Sequence, residues 1–262
     1  MADDEAAPGA RDRAVSPGWR DRAILWTSLV AITLIAWFYL VRMPMSSADL
    51  GAWAHRALRT MPPALVEGWL TFMMWAVMMV AMMLPSAAPM IETYATMVRA
   101  RASAAWSLVA LFTAGYLIVW TLFSALATIG QVSLQRVGIV TNAMTSVPLI
   151  SAGLLILAGL YQVTPLKNLC LAGCRSPVGF FMTEWRNGAS GAVRMGLRHG
   201  VMCLGCCWML MLLLFVFGVM NLIWIAALSI FVLLEKLLPH GRLIARGSGV
   251  AMIAVGVKLL IL

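Results

Sequence analysis

Seven stretches of this chain are apolar for long enough to cross, or nearly cross, the hydrocarbon core of a bilayer. They run over about Ile24–Val41, Trp69–Met90, Ala104–Gly130, Pro148–Val163, Val193–Met220, Leu222–Leu238 and Ser248–Leu262. A helix rises about 1.5 Å per residue, so a core of roughly 30 Å asks for about 20 apolar residues. Only helices or closed barrels satisfy their backbone groups in lipid, and windows of this length specify helices. Composition agrees: hydrophobic residues make up 62% and charged residues 11%, where soluble domains carry about 45–50% and about 25%. The expected fold is an all-α polytopic transmembrane bundle of about seven spans. Residues 1–20 read as a disordered polar tail and 21–262 as a single membrane domain. The near-continuous apolar run Val201–Leu234 is too long for one crossing and is split at Gly218–Asn221, where Gly and Asn act as breakers.

The formal net charge of +9 is explained by where the basic residues fall. With the N-terminus inside, fourteen Lys and Arg lie in inner segments, while Arg42, Arg56, Arg59 and Arg136 lie in outer ones. Cytoplasmic loops collect Lys and Arg, so this asymmetry sets the orientation and places the chain in a bacterial inner membrane as a multi-pass protein. Nucleic-acid binding is not expected. A short amphipathic helix is expected around Ala52–Leu58 in the longest outer loop. No P-loop occurs, which disfavours an ATP-driven pump.

Sulfur is the unusual part of the inventory: 20 Met and 5 Cys against 3 His. The fifth stretch contains His199, Cys203, Cys206 and Cys207. At about 100° per residue, with His199 as zero, the cysteines fall near about 40°, −20° and 80°, so all four share one helix face. His199/Cys203 and Cys203/Cys207 are i,i+4 pairs, a spacing at which two side chains can grip one ion. His199 and Cys207 lie about 12 Å apart along the axis, so one ion cannot use them all. Either other segments complete the shell or two ions sit in a ladder. Against this stands the plain reading of Cys as a small buried hydrophobe. Cys170 and Cys174, in what reads as an inner loop, have the spacing of a two-thiolate clip. In the second stretch Met74, Met78 and Met82 form one i,i+4 stripe, with Met79 and Met83 in another beside it. Thioethers and thiolates suit Cu(I) and reject hard cations, although Met also fills apolar gaps without any such role. Pro85 and Pro89 predict a kink near the inner end of this helix.

Other polar residues read as interfacial. Glu235–Lys236 ends the sixth span as a pair with the Lys snorkelling; Glu92 and Glu184 are placed the same way, and Asn221 reads as a turn residue. Gly196 and Gly200 have the spacing that lets a neighbouring helix approach closely.

Several of these segments resemble the DUF2182 family, described as predicted metal-binding integral membrane proteins of bacteria. The likeness is carried by Trp75–Tyr94, Tyr161–Arg175, Trp185–Leu210 and the Glu235–Pro239 corner. It implies a metal-binding membrane protein, without naming the metal or a reaction. Two functions follow from the residues. One is a protein binding a soft transition metal, Cu(I) foremost, on the second and fifth spans through His199, Cys203, Cys206, Cys207, Cys170, Cys174, Met74, Met78 and Met82. It would serve transport or delivery, with the bilayer, the metal ion and a membrane or periplasmic partner subunit as partners. The alternative is a membrane metalloenzyme, or a subunit of a metal-dependent oxidoreductase complex. A structural subunit whose sulfur only packs is the third reading.

Overall fold

The computed structural model describes residues 19–42, 62–99, 105–139, 147–219 and 221–261. The tail before Trp19, the helix expected around Ala52–Leu58 and the basic positions Arg56, Arg59 and Arg101 lie outside these residues. All regular structure among them is helical: α1 (Trp19–Arg42), α2 (Pro63–Arg99), α3 (Ala105–Arg136), α4 (Pro148–Val163), α5 (Pro165–Arg175), α6 (Pro177–Glu184), α7 (Gly188–Leu212), α8 (Leu214–Phe217), α9 (Leu222–Leu237) and α10 (Gly241–Ile261). The chain is an all-α helical bundle.

Helices occur at all seven expected places, but they are not seven equal spans. Five are long and apolar enough to cross a membrane: 19–42, 64–99, 105–136, 188–217 and 241–261. The fourth is a bent pair, α4 turning by 63° into α5. The sixth, α9, has 16 residues, about 24 Å of helix against a core of roughly 30 Å. The split inside the long apolar run falls where Gly and Asn placed it. Gly218 takes φ 100°, a backbone state that a β-carbon would strain. Asn221 then caps α9, its Oδ1 accepting from the Ile223 N–H at 3.1 Å and the Trp224 N–H at 3.5 Å.

Cys170 and Cys174 were expected in a loop. They sit instead on α5, and the reason is local. Thr164 adopts extended backbone before Pro165, its Oγ1 accepts from the Lys167 N–H at 3.3 Å, and Pro165 occupies the first helical turn. A capping Thr followed by Pro starts a helix as readily as it ends one. The 63° turn then lays α5 against α7.

Outward faces carry large apolar side chains, such as Leu34, Ile35 and Phe38 on α1 and Leu122, Leu126 and Ile129 on α3. In water such continuous patches would drive association; in a bilayer they meet acyl chains. Inside, small residues set the spacing. A β-carbon on Gly115 of α3 would stand 2.5 Å from the Val193 carbonyl oxygen of α7, and one on Gly196 would collide with the Phe112 carbonyl. The α4–α10 pair is equally tight: a β-carbon on Gly249 would meet the Gly159 carbonyl at 2.8 Å. Such close backbone approach is how helices gain dispersion energy when lipid competes for every apolar face.

The bundle also holds a buried polar cluster. Lys167 Nζ donates to Glu235 Oε2 at 2.8 Å and to Gln162 Oε1, while Gln162 Nε2 donates to Glu235 Oε1 and to Ser248 Oγ, each at 3.0 Å. Lys167 is 0% exposed and Glu235 2%. The cluster therefore ties α4, α5, α9 and α10 together. The interfacial placement of Glu235–Lys236 is thus corrected: both are buried, Lys236 at 6% exposure. The end of α9 itself is exposed, with the Arg175 guanidinium donating to the Leu238 and Pro239 carbonyls at 2.5 and 2.9 Å, but the Lys236 side chain turns inward to Ser86 and Cys203. Glu92 pairs with Arg22 at 2.7 Å and Glu184 with Arg198 at 3.3 Å, nearer the surface.

Removing one partner of a buried ion pair leaves the other charge stranded, which costs about 3–5 kcal/mol. Lys167→Met is therefore expected to lower the thermal stability of the detergent-purified protein strongly. Lys167→Met with Glu235→Gln should recover much of the loss. A double variant as unstable as the single one would show that the pair is not the source of the effect.

Candidate metal centre

Helix α7 begins after Asn187 and carries a face of Gly191, Ala192, Met195, Gly196, His199, Gly200, Cys203, Cys206, Cys207 and Leu210 inward, all buried. Small residues at Gly196 and Gly200 let α3 come close at the turn that bears His199. The three cysteines are 0%, 2% and 1% exposed.

Cys203 is the centre of the arrangement. Its Sγ accepts a hydrogen bond from Lys236 Nζ at 3.0 Å and lies 3.2 Å from the Tyr116 hydroxyl. Lys236 Nζ also donates to Ser86 Oγ at 2.9 Å. Tyr116 Oη and Ser86 Oγ both donate to the Met83 carbonyl, at 3.0 and 2.8 Å. The Cys203 carbonyl accepts from the Cys206 thiol at 3.0 Å and the Cys207 thiol at 3.1 Å. Cys207 Sγ stands 3.8 Å from Met83 Sδ. From α5, Cys174 lies near enough to Cys203 and Cys206 to interact with them electrostatically. Cys170 packs against Gly205, where a β-carbon would sit 2.8 Å from its Sγ, and Tyr161 Oη donates to the Gly205 carbonyl beside it.

Of the residues expected to form a site, Cys174, Cys203, Cys206 and Cys207 are brought together. Cys170 lies at their edge on the same helix as Cys174. Met74, Met78 and Met82 are buried in α2, at 5%, 0% and 1%, but the thioether that meets a thiol belongs to Met83, in the neighbouring stripe. Among the described residues no three His, Cys, Asp or Glu side chains form a group that could hold a metal ion. The assembled feature is an open cluster of soft donors around a buried ammonium.

Lys236, Tyr116 and Ser86 were not anticipated here. The signal for Lys236 was present, because an ionisable residue within an apolar helix is a functional candidate by default. Tyr116 and Ser86 give no such signal, being ordinary in membrane helices.

His199 sits one turn before Cys203, 2% exposed. Its ring stacks on Tyr116 at 5.3 Å and on Phe112 at 6.2 Å, with Phe180 edge-on at 5.8 Å. Neither Nδ1 nor Nε2 has a hydrogen-bond partner. A buried polar atom without a partner costs free energy, so a ring with two of them calls for an explanation beyond its stacking.

Residues 72–259 match the model of a family described as PpoB2, copper chaperone. The chain belongs to this family. The match takes in all five cysteines, His199, Met83, Tyr116 and Lys236, and leaves out α1. Thiolates and thioethers are the donors that select Cu(I) in general. No curated protein and no solved structure matches the chain.

The stacking and the free nitrogens of His199 can be separated. His199→Phe keeps an aromatic ring between Phe112 and Tyr116, so stability should stay within about 1.5 kcal/mol of the parent. His199→Ala empties the stack and should cost about 3 kcal/mol or more. If the Phe variant folds normally and loads less copper, the ring nitrogens serve the metal. Equal loading would assign His199 to packing.

Proposed function

We propose that this chain is a multi-pass protein of the bacterial inner membrane that takes Cu(I) as cargo and passes it on through exchange between soft donors. Cys203, Cys207 and Met83 form the central station, Cys174 and Cys206 are the exchanging thiols, and Cys170 is the approach. His199 adds a nitrogen donor on the same face, and the Met74/Met78/Met82 stripe extends the soft lining along α2. We equate the copper-chaperone family with the DUF2182 resemblance read from the same segments.

The observation that carries this reading is the setting of Cys203, with further thiols in reach from its own helix and from α5, and no closed chelate. A structural metal site wants a complete and rigid shell. A cargo site wants donors that can be swapped one at a time. Cu(I) is content with about two or three soft ligands, so an ion on Cys203 and Cys207 can move to Cys174 by forming one bond as another breaks. Each ligating thiol gives up its proton when the metal binds, so loading weakens as pH falls.

Burial grades along the proposed path. Cys170 and Cys174 are half-buried, while Cys203, Cys206 and Cys207 are enclosed. A partner protein could therefore reach the α5 thiols first, and the membrane-enclosed thiols would hold the ion away from water and oxidants. Delivery to a membrane or periplasmic partner subunit is the expected output.

The central position of Cys203 makes a ranking. Cys203 lies in both i,i+4 pairs on its face and touches Lys236 and Tyr116, whereas the Cys206 thiol turns back onto the Cys203 carbonyl. Losing a group that only orients a ligand costs about 10–100-fold in metal affinity, so loss of a ligand itself should cost at least as much. Cys203→Ser is expected to lower copper per protein well below that of Cys206→Ser, at equal membrane abundance and unchanged elution of the purified protein. Full loading of Cys203→Ser would return the cluster to a packing role.

A further inference from the structure

We propose that Lys236 is the built-in counter-cation of the metal–thiolate complex, and that it makes this site prefer a monovalent soft ion over a divalent one. The inference rests on the Cu(I) reading above and adds the charge that the site selects.

Lys236 is held where its charge counts. Its ammonium is enclosed between α2, α7 and α9, 2.9 Å from Ser86 Oγ and 3.0 Å from Cys203 Sγ. The nearest carboxylate in sequence, Glu235, faces the other way and binds Lys167 at 2.8 Å. Arg175 is occupied at the Leu238 and Pro239 carbonyls. The other groups that feel the ammonium are Tyr116, Cys174, Cys206, His199 and Glu235, and the Glu235 carboxylate is the one whose charge is already matched, by Lys167. With Glu235 matched by Lys167, the Cys203 sulfur is the partner in hydrogen-bond contact that can balance Lys236.

Charge arithmetic then distinguishes the metals. Two thiolates and a monovalent ion make a complex of charge −1, and Lys236 brings the sum to zero. The same two thiolates with a divalent ion are already neutral, so Lys236 leaves a net +1 inside the bundle. A third thiolate would restore neutrality, but no three His, Cys, Asp or Glu side chains among the described residues can grip one ion. An unbalanced charge in a low-dielectric interior is penalised far more than in water. Each thiol that ligates the ion releases its proton. The Ser86 hydrogen bond fixes the ammonium beside Cys203 rather than letting it swing away when the ion arrives.

Without Lys236 the preference should invert, because the monovalent dithiolate is then unbalanced and the divalent one is neutral. The test uses the full-length detergent-purified chain, Ag(I) as a redox-silent monovalent probe and Cd(II) as a soft divalent one, each titrated against a competing chelator. Lys236→Gln is expected to weaken Ag(I) binding and strengthen Cd(II) binding, moving their affinity ratio by at least about tenfold, which is about 1.4 kcal/mol. Lys236→Arg, which keeps the charge, should hold the ratio near the parent value. Lys236→Leu, which leaves no polar group to bury, replaces the Gln variant if that one fails to fold. A merely structural role would lower both affinities together.

The inference is overturned by an unchanged ratio in the neutral variants, by a parallel loss of both ions, or by an Arg variant that shifts the ratio as far as Gln does. In each of these cases the parent still binds Ag(I), and the copper reading stands. A parent protein that takes up neither ion overturns the copper reading and this inference with it.

Discussion

An ammonium group sealed away from water needs partners among its neighbours, and Lys236 finds them in the Cys203 sulfur and the Ser86 hydroxyl. Stranding such a charge costs several kcal/mol, so the arrangement around Lys236 is the constraint that the rest of the interior obeys. Helix α9 delivers the ammonium, α7 the Cys203 sulfur, α2 the Ser86 hydroxyl and α3 the Tyr116 hydroxyl that lies against the same sulfur. These helices must come close for the distances to hold, and glycines at Gly115, Gly196 and Gly200 permit that approach. Glu235, the adjacent carboxylate, is claimed by Lys167 and Gln162. Two adjacent residues of α9 therefore serve two different buried clusters, one ionic and one sulfur-centred.

Hydropathy made the helices legible because lipid imposes one rule on every span. The windows found a helix at each expected place, although the second runs over Pro63–Arg99 rather than Trp69–Met90, and the breakers at Gly218 and Asn221 were read correctly because their chemistry is local. The α4–α5 bend was not legible as a helix. Thr164–Pro165 both ends one helix and starts another, and a sequence window registers only the interruption. The thiol cluster on α7 was visible from its 3.6-residue spacing. Its surroundings were not, since which face of α2 or α3 meets α7 depends on packing rather than on any signal in Met83, Ser86 or Tyr116. Lys236 was misplaced for a definite reason. A Lys near the end of an apolar stretch is expected to snorkel outward, and here the side chain turns inward instead, to the Ser86 hydroxyl and the Cys203 sulfur.

Membership of a copper-chaperone family and an open soft-donor cluster support the same kind of chemistry. A chaperone must hold its ion firmly enough to exclude water and loosely enough to give it up. Thiols that belong to different helices, with a thioether at the margin, meet both needs because each donor can leave singly. The half-buried cysteines of α5 and the enclosed ones of α7 also differ in access, which would order the proposed exchange. His199, stacked between aromatic rings with both nitrogens unbonded, would add a donor of intermediate softness at one end of the same face.

The central claim is that copper bound to this chain is held by sulfur within the bundle. X-ray absorption at the copper edge of the Cu(I)-loaded, detergent-purified protein reads that directly. The account predicts a first shell dominated by short copper–sulfur scattering that weakens in Cys203→Ser. A first shell of oxygen and nitrogen alone would contradict it.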